Sequence, residues 1–138
     1  MKKILIIFAL FFICLSGNSQ YKKEILIEQI LKTDTTTIGQ KITYPNFSDN
    51  EVTMLKITIP PGASTGWHKH EVPVFAYVVE GSITVEYENH KPVVFTKNSS
   101  IAEVKGTYHN GTNKGIENAV LIAIYLGEKG KINSIKKE

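Results

Sequence analysis

The sequence contains no arginine: all 16 of its basic residues are lysines. Arginine supplies the planar fork that reads guanine edges and grips phosphates and carboxylates in pairs, so its absence argues against sequence-specific nucleic-acid binding. Cysteine is nearly absent too, with Cys14 the single example. One cysteine forms no internal disulfide, and a thiolate metal cluster is excluded with it. The longest apolar run, Ile4–Leu15, has about 12 residues, short of the roughly 20 that a membrane-spanning helix needs. A formal net charge of +3 over 138 residues implies no polyanionic or polycationic partner. There is no internal repeat, low-complexity tract or block of like charge. What is present, 42% hydrophobic and 21% charged residues, is the composition of one modest globular domain.

The first twenty residues differ in character from the rest. Lys2 and Lys3 precede the apolar run and the small residues Gly17 and Ser19 follow it, which is the layout of a secretory signal peptide. The expectation is a signal segment 1–19 cleaved after Ser19, and one mature domain 20–138, exported to the periplasm or secreted and free of the membrane. Lipid attachment at Cys14 is disfavoured, because bulky Phe11, Phe12 and Ile13 stand where such a site has small residues. The mature chain would carry 14 lysines against 13 acidic residues and no cysteine. Its hydrophobic core alone must then hold it together.

Turn signals recur every eight to twelve residues between short apolar stretches, the rhythm of an all-β domain. Leu55, Ile57 and Ile59 alternate with Met54, Lys56 and Thr58, and Ile83, Val85 and Tyr87 alternate with Thr84, Glu86 and Glu88. Each pattern gives a strand with one buried face. Val93–Thr96, Ile101–Val104 and Ala119–Leu126 supply further strands, the last apolar throughout and so expected to be central and covered on both faces. Ile25–Leu31 fits either a helical face or an edge strand. Seven or more short strands point to a sandwich or small barrel.

The chemistry concentrates in the stretch Gly62–Glu71. His68 and His70, two apart on a strand, project from one face about 7 Å apart at Cα, where two imidazoles can share a metal. His109 is a third candidate from a remote strand. His90 lies in the turn Glu88–Lys91 and is read as exposed, and Lys69 faces away from its two histidine neighbours. Trp67, Phe75 and Tyr77 are expected to pack in or beneath the sheet, Tyr77 with a minority reading as a pocket hydroxyl. Asn113 is expected to anchor the loop after His109 through backbone hydrogen bonds.

These residues resemble the two motifs of a small single-domain cupin. Gly62, five residues, His68-x-His70, three residues, Val74, six residues, Gly81 follows the first motif except that Val74 replaces a glutamate. Gly106, His109 and Asn113 follow the second at 101–113, although Val104 stands where it has proline and its opening glycine is missing near Asn98. The resemblance implies a jelly-roll β-barrel and a divalent transition metal, iron, manganese, nickel, copper or zinc, held inside it. It also implies a small-molecule ligand or substrate and a homodimer.

Val74 leaves the metal set open. His68, His70 and His109 alone can form a facial site. Alternatively another carboxylate substitutes: Glu103, on the strand leading into the second motif, is the first choice, and Glu71 the second. A barrel that has lost its metal is the third outcome. Because neutral imidazoles are required, occupancy is expected to fall below about pH 6. Function divides between metal-dependent catalysis of the dioxygenase or isomerase type and a non-catalytic module that captures a metal or small ligand.

Overall fold

Nine β-strands form from these alternating stretches across residues 25–138, the part of the chain that the computed structural model describes. They are β1 (Asn50–Ile59), β2 (His68–Lys69), β3 (Val74–Glu80), β4 (Ser82–Tyr87), β5 (Val93–Thr96), β6 (Ser100–Ala102), β7 (His109–Thr112), β8 (Ala119–Glu128) and β9 (Ile135–Lys136). The described residues contain no helix. The expected signal segment 1–19, its cleavage point and Cys14 lie outside the described residues.

The strands make two sheets, ordered β1-β8-β3-β6 and β5-β4-β7-β2-β9, whose named strand pairings are all antiparallel. This is the jelly roll that the motifs imply. The core lies between the sheets, where Val74, Ala76 and Val78 of β3 and Leu121, Ala123 and Tyr125 of β8 face Ile83, Val85 and Tyr87 of β4. The period-two pattern thus predicts the inward face of β4 correctly, and that of β1 at Ile57 and Ile59, whereas Leu55 is exposed.

Two expectations need correction. β8 is central, between β1 and β3, but on its outer face only Val120 is deeply buried, and Ile122, Ile124 and Leu126 are half-buried. Ile25–Leu31 forms neither helix nor strand. Its apolar side chains are exposed, up to 92% at Leu26, and the Ser100 hydroxyl donating to the Ile30 carbonyl at 2.8 Å is its tie to the sheet. Only Ile30 and Leu31 border the apolar outer face of β3 and β8, beside Phe75, Ile122 and Ile124, so most of its periodicity has nothing to stabilise.

The hairpin between β3 and β4 turns at Gly81, whose φ of +67° favours glycine. A Cβ there would sit 2.3 Å from the Asn118 carbonyl oxygen. The second motif's Asn113 is fully buried. Its amide nitrogen donates to the carbonyls of Ile59 (2.8 Å) and Glu117 (2.7 Å), and its Oδ1 accepts from the Gly115 backbone at 2.9 Å. The anchoring role expected for it is met. Asn113→Ala leaves the buried Ile59 carbonyl and the part-buried Glu117 carbonyl without this donor, so an expected loss of about 2–4 kcal/mol should appear as a lowered Tm.

Candidate metal centre

Two histidines meet across a strand pair, because β2 runs antiparallel to β7 with His68 opposite His109. His70 follows two residues later on the same face, in an isolated bridge with Lys105. The three rings gather with centroids 4.5–5.0 Å apart. Each offers one ring nitrogen, and these three atoms lie within 4.8 Å of one another. His70 and His109 are each 2% exposed.

The hydrogen bonds determine which nitrogen is free. Nδ1 of His68 lies 2.8 Å from the Gly66 carbonyl, Nδ1 of His70 lies 2.8 Å from that of Asn133, and Nδ1 of His109 lies 3.0 Å from that of Thr107. A carbonyl only accepts, so each Nδ1 carries the proton and donates it. Each Nε2 keeps its lone pair. Three imidazoles oriented by backbone carbonyls, with matching tautomers, are what a metal-ligating set requires.

Glu103 is the carboxylate at this site. Its Oε2 lies 3.7 Å from His109 Nε2, its side chain is only 12% exposed, and that oxygen is buried without a hydrogen-bond partner. Burial pushes its pKa up to about 7, against a smaller opposing pull from His68. The Glu103 backbone N–H donates to the Val74 carbonyl at 2.9 Å, so the two residues are neighbours across strands. The carboxylate therefore stands one strand away from where the first motif places it, while Val74, 3% exposed, belongs to the apolar wall. An orphaned carboxylate oxygen beside three Nε2 lone pairs fits a divalent cation.

Burial also shapes the histidines. It lowers all three, His70 to about 4, with the other two rings adding to the effect on His70. The acid limit of about pH 6 expected from ordinary imidazole therefore moves down, since these rings stay neutral further into acid. Metal retention measured from pH 7 to pH 4 should show its midpoint below pH 6.

The rings open onto a cavity of about 50 Å³. Ile57, Ile59, Ile83, Val85, Ile101 and Leu121 wall it, and Tyr125 and Thr65 add hydroxyls. Its ionisable groups are the three histidines, Glu103 and Tyr125.

The other residues singled out lie elsewhere. Glu71 is on the surface, paired with Lys69 at 2.8 Å, and is not at the site. His90 is exposed, as expected. Tyr77 is no pocket residue: it sits on the outer face of β3 and donates to Asn98 Oδ1 at 3.1 Å. Trp67 is 39% exposed rather than packed beneath the sheet, with Lys137 Nζ over its ring at 5.6 Å. Asn133 and Ser134, which touch His70, were not foreseeable from any motif.

No curated protein matches the chain. Among solved structures it is similar to BH2720 from Bacillus halodurans, at 23% identity over 62% of this chain and 69% of that one, with a TM-score of 0.54. It is similar to an RmlC-like cupin from Shewanella frigidimarina, at 24% identity over 58% of this chain and 69% of that one, with a TM-score of 0.50. A third likeness is to the DMSP lyase DddQ from Ruegeria pomeroyi, at 14% identity over 62% of this chain, with a TM-score of 0.55. The chain spans only 43% of that lyase's length. At these identities the likeness establishes the fold. The family model described as a cupin domain matches residues 55–125, a stretch that covers half of the sequence and holds all three histidines and Glu103, and the chain therefore belongs to the cupin domain family.

Proposed function

We propose that this chain is an exported cupin that holds one divalent transition metal on His68, His70, His109 and Glu103, and presents it to a small molecule in the barrel. The observation that carries the reading is the donor set itself: three Nδ1–H groups tied to backbone carbonyls and a buried Glu103 oxygen with no other partner. Glu103 would restore the negative ligand that Val74 removes. Three imidazoles and one carboxylate suit iron, manganese, nickel, copper or zinc.

Bound there, a divalent ion supplies Lewis acidity or, if redox-active, an oxygen-activating centre. The chain's own residues do the rest. The aliphatic walls exclude water and favour a ligand with apolar substance beside its polar head. Glu103, with its pKa near 7 in the metal-free site, would give up its Oε2 proton when a cation binds. Catalysis of the dioxygenase or isomerase type is the enzymatic form of this proposal. The lyase named above is an enzyme on the same fold, and fold alone does not transfer its chemistry.

A second reading, a module that captures a metal or small ligand without turnover, is favoured by the lining, which offers no general acid or base apart from the ligand set and Tyr125. Cobalt titration of the untagged mature chain tests the common premise. One equivalent should produce a visible spectrum that His70→Ala abolishes. Adding small carboxylates to the cobalt form then separates the two readings: a perturbed spectrum followed by product supports the enzyme, and a perturbed spectrum with unchanged ligand supports the module. A cobalt spectrum identical in wild type and His70→Ala would refute both.

A further inference from the structure

The C-terminal residues lie beyond the stretch that the cupin model matches, which ends at residue 125, yet they reach into the metal centre. His68 and His109 are oriented locally, each by the carbonyl two residues before it. His70 is different, because its carbonyl belongs to Asn133, 63 residues away. The Ser134 hydroxyl lies 3.2 Å from the same nitrogen. Next in the chain, β9 pairs with β2 and sets Lys136 opposite His68.

This segment is anchored at both ends. The Asn133 side chain donates to Thr53 Oγ1 on β1 at 3.1 Å, and it lies against Gly127, where a Cβ would come within 2.9 Å of its Oδ1. At the other end the Lys137 N–H donates to the Trp67 carbonyl at 2.9 Å. Its Nζ pairs with Glu88 at 2.7 Å and stands over the rings of Tyr108 and Trp67, 5.1 and 5.6 Å from their centroids. The strap thus crosses from one sheet to the other over the two histidines of the first motif.

We propose that Asn133–Lys137 is a positioning strap for the metal centre, in which the Asn133 carbonyl fixes the tautomer and orientation of His70 and β9 braces His68. The proposal deepens the metal-binding reading and rests on it for its affinity effects. Detached from the strap, His70 loses its Nδ1 acceptor, its proton redistributes between the two nitrogens, and the ring turns. Loss of such an orienting partner lowers metal affinity by about 10- to 100-fold. By linkage, metal binding must tighten the strap by the same factor as the strap tightens metal binding.

The test compares the mature chain with a form lacking residues 131–138. Imidazole nitrogen NMR on the metal-free proteins should show Nδ1–H on all three histidines in the intact chain. In the shortened chain His70 should shift to mixed tautomers, with His109, which the strap does not touch, as the internal control. Zinc affinity by chelator competition should fall about 10- to 100-fold. An unchanged His70 tautomer, or zinc affinity within about twofold, would overturn the proposal.

If the shortened chain does not fold, Lys137→Ala in the full chain replaces it. Faster amide exchange at 133–137 with weaker zinc binding supports the strap; faster exchange with unchanged zinc affinity, or unchanged exchange, overturns it. Failure of the intact chain to bind zinc would instead sink the metal reading, while the His70 tautomer would still decide the strap's orienting role.

Discussion

His109→Ala is expected to weaken binding of a divalent transition metal by more than about 100-fold, the upper end of what loss of a mere orienting partner costs. His109 faces His68 directly across β2 and β7 and is the ring nearest to Glu103, so its removal takes away one ligand and the neighbour of another. Overpacking is not at issue, because alanine only enlarges the cavity. The metal-free variant therefore serves as its own control: its far-UV spectrum should match the parent while chelator competition shows the loss. Affinity within about threefold of the parent would show that the histidines gather for another reason.

Glu103→Gln gives the second large effect, and its sign depends on the metal. Without metal, the folded-state pKa of Glu103 is raised from 4.5 to about 7. Between those values the folded chain binds more protons than the unfolded one, so this group's contribution to stability is fully present below pH 4.5 and is lost as pH rises through 7. At pH 8 a buried, unpaired carboxylate costs about 3 kcal/mol, and glutamine removes that cost. The metal-free variant should thus be more stable than the parent at pH 8, with most of the gain gone by pH 5. With metal, the order reverses, because the carboxylate then has its cation and the amide is a poorer ligand. Denaturant unfolding at both pH values, with and without zinc, checks all four conditions. A variant no more stable at pH 8 without metal would mean that Glu103 is already satisfied there.

The histidines pull stability the other way. Their folded-state values lie below the ordinary 6.5, so the unfolded chain takes up protons first as the medium turns acid. Their contribution is complete above pH 6.5 and declines as pH falls toward about 4, the value for His70. Between pH 4.5 and 6.5 the two slopes oppose each other, and Glu103→Gln should leave the histidine slope alone and steeper.

The legible parts of this molecule are those where a local pattern meets a local constraint. The alternation in Ile83–Tyr87 marks the inward face because a strand's period is fixed by its backbone, and the spacing of Gly62, His68, His70 and Gly81 marks a turn, a pair of histidines on one face and a hairpin. Glu103 could be singled out because it directly follows β6 on the way into the second motif. Its direction was not legible, since that depends on the pairing of Glu103 with Val74, a contact between residues 29 apart. Ile25–Leu31 misled because periodicity reports only what a segment can bury: Ile30 and Leu31 border the outer face of β3 and β8, while Ile25, Leu26 and Ile27 stay exposed. Tyr77 misled by one step of register, which turns a side chain from the cavity to the outer surface. The C-terminal strap carries no motif: β9 has two residues, and its hold on His70 is made by a backbone carbonyl, which every residue possesses.

Elemental analysis is the most direct test of the central claim, that four side chains from three strand regions hold one metal ion. The mature chain would be purified without chelator or histidine tag, beside a His68→Ala/His109→Ala control of verified fold. About one equivalent of a transition metal in the parent and none in the control is the expected result. Metal absent from the parent even after reconstitution, or present equally in the control, would contradict it.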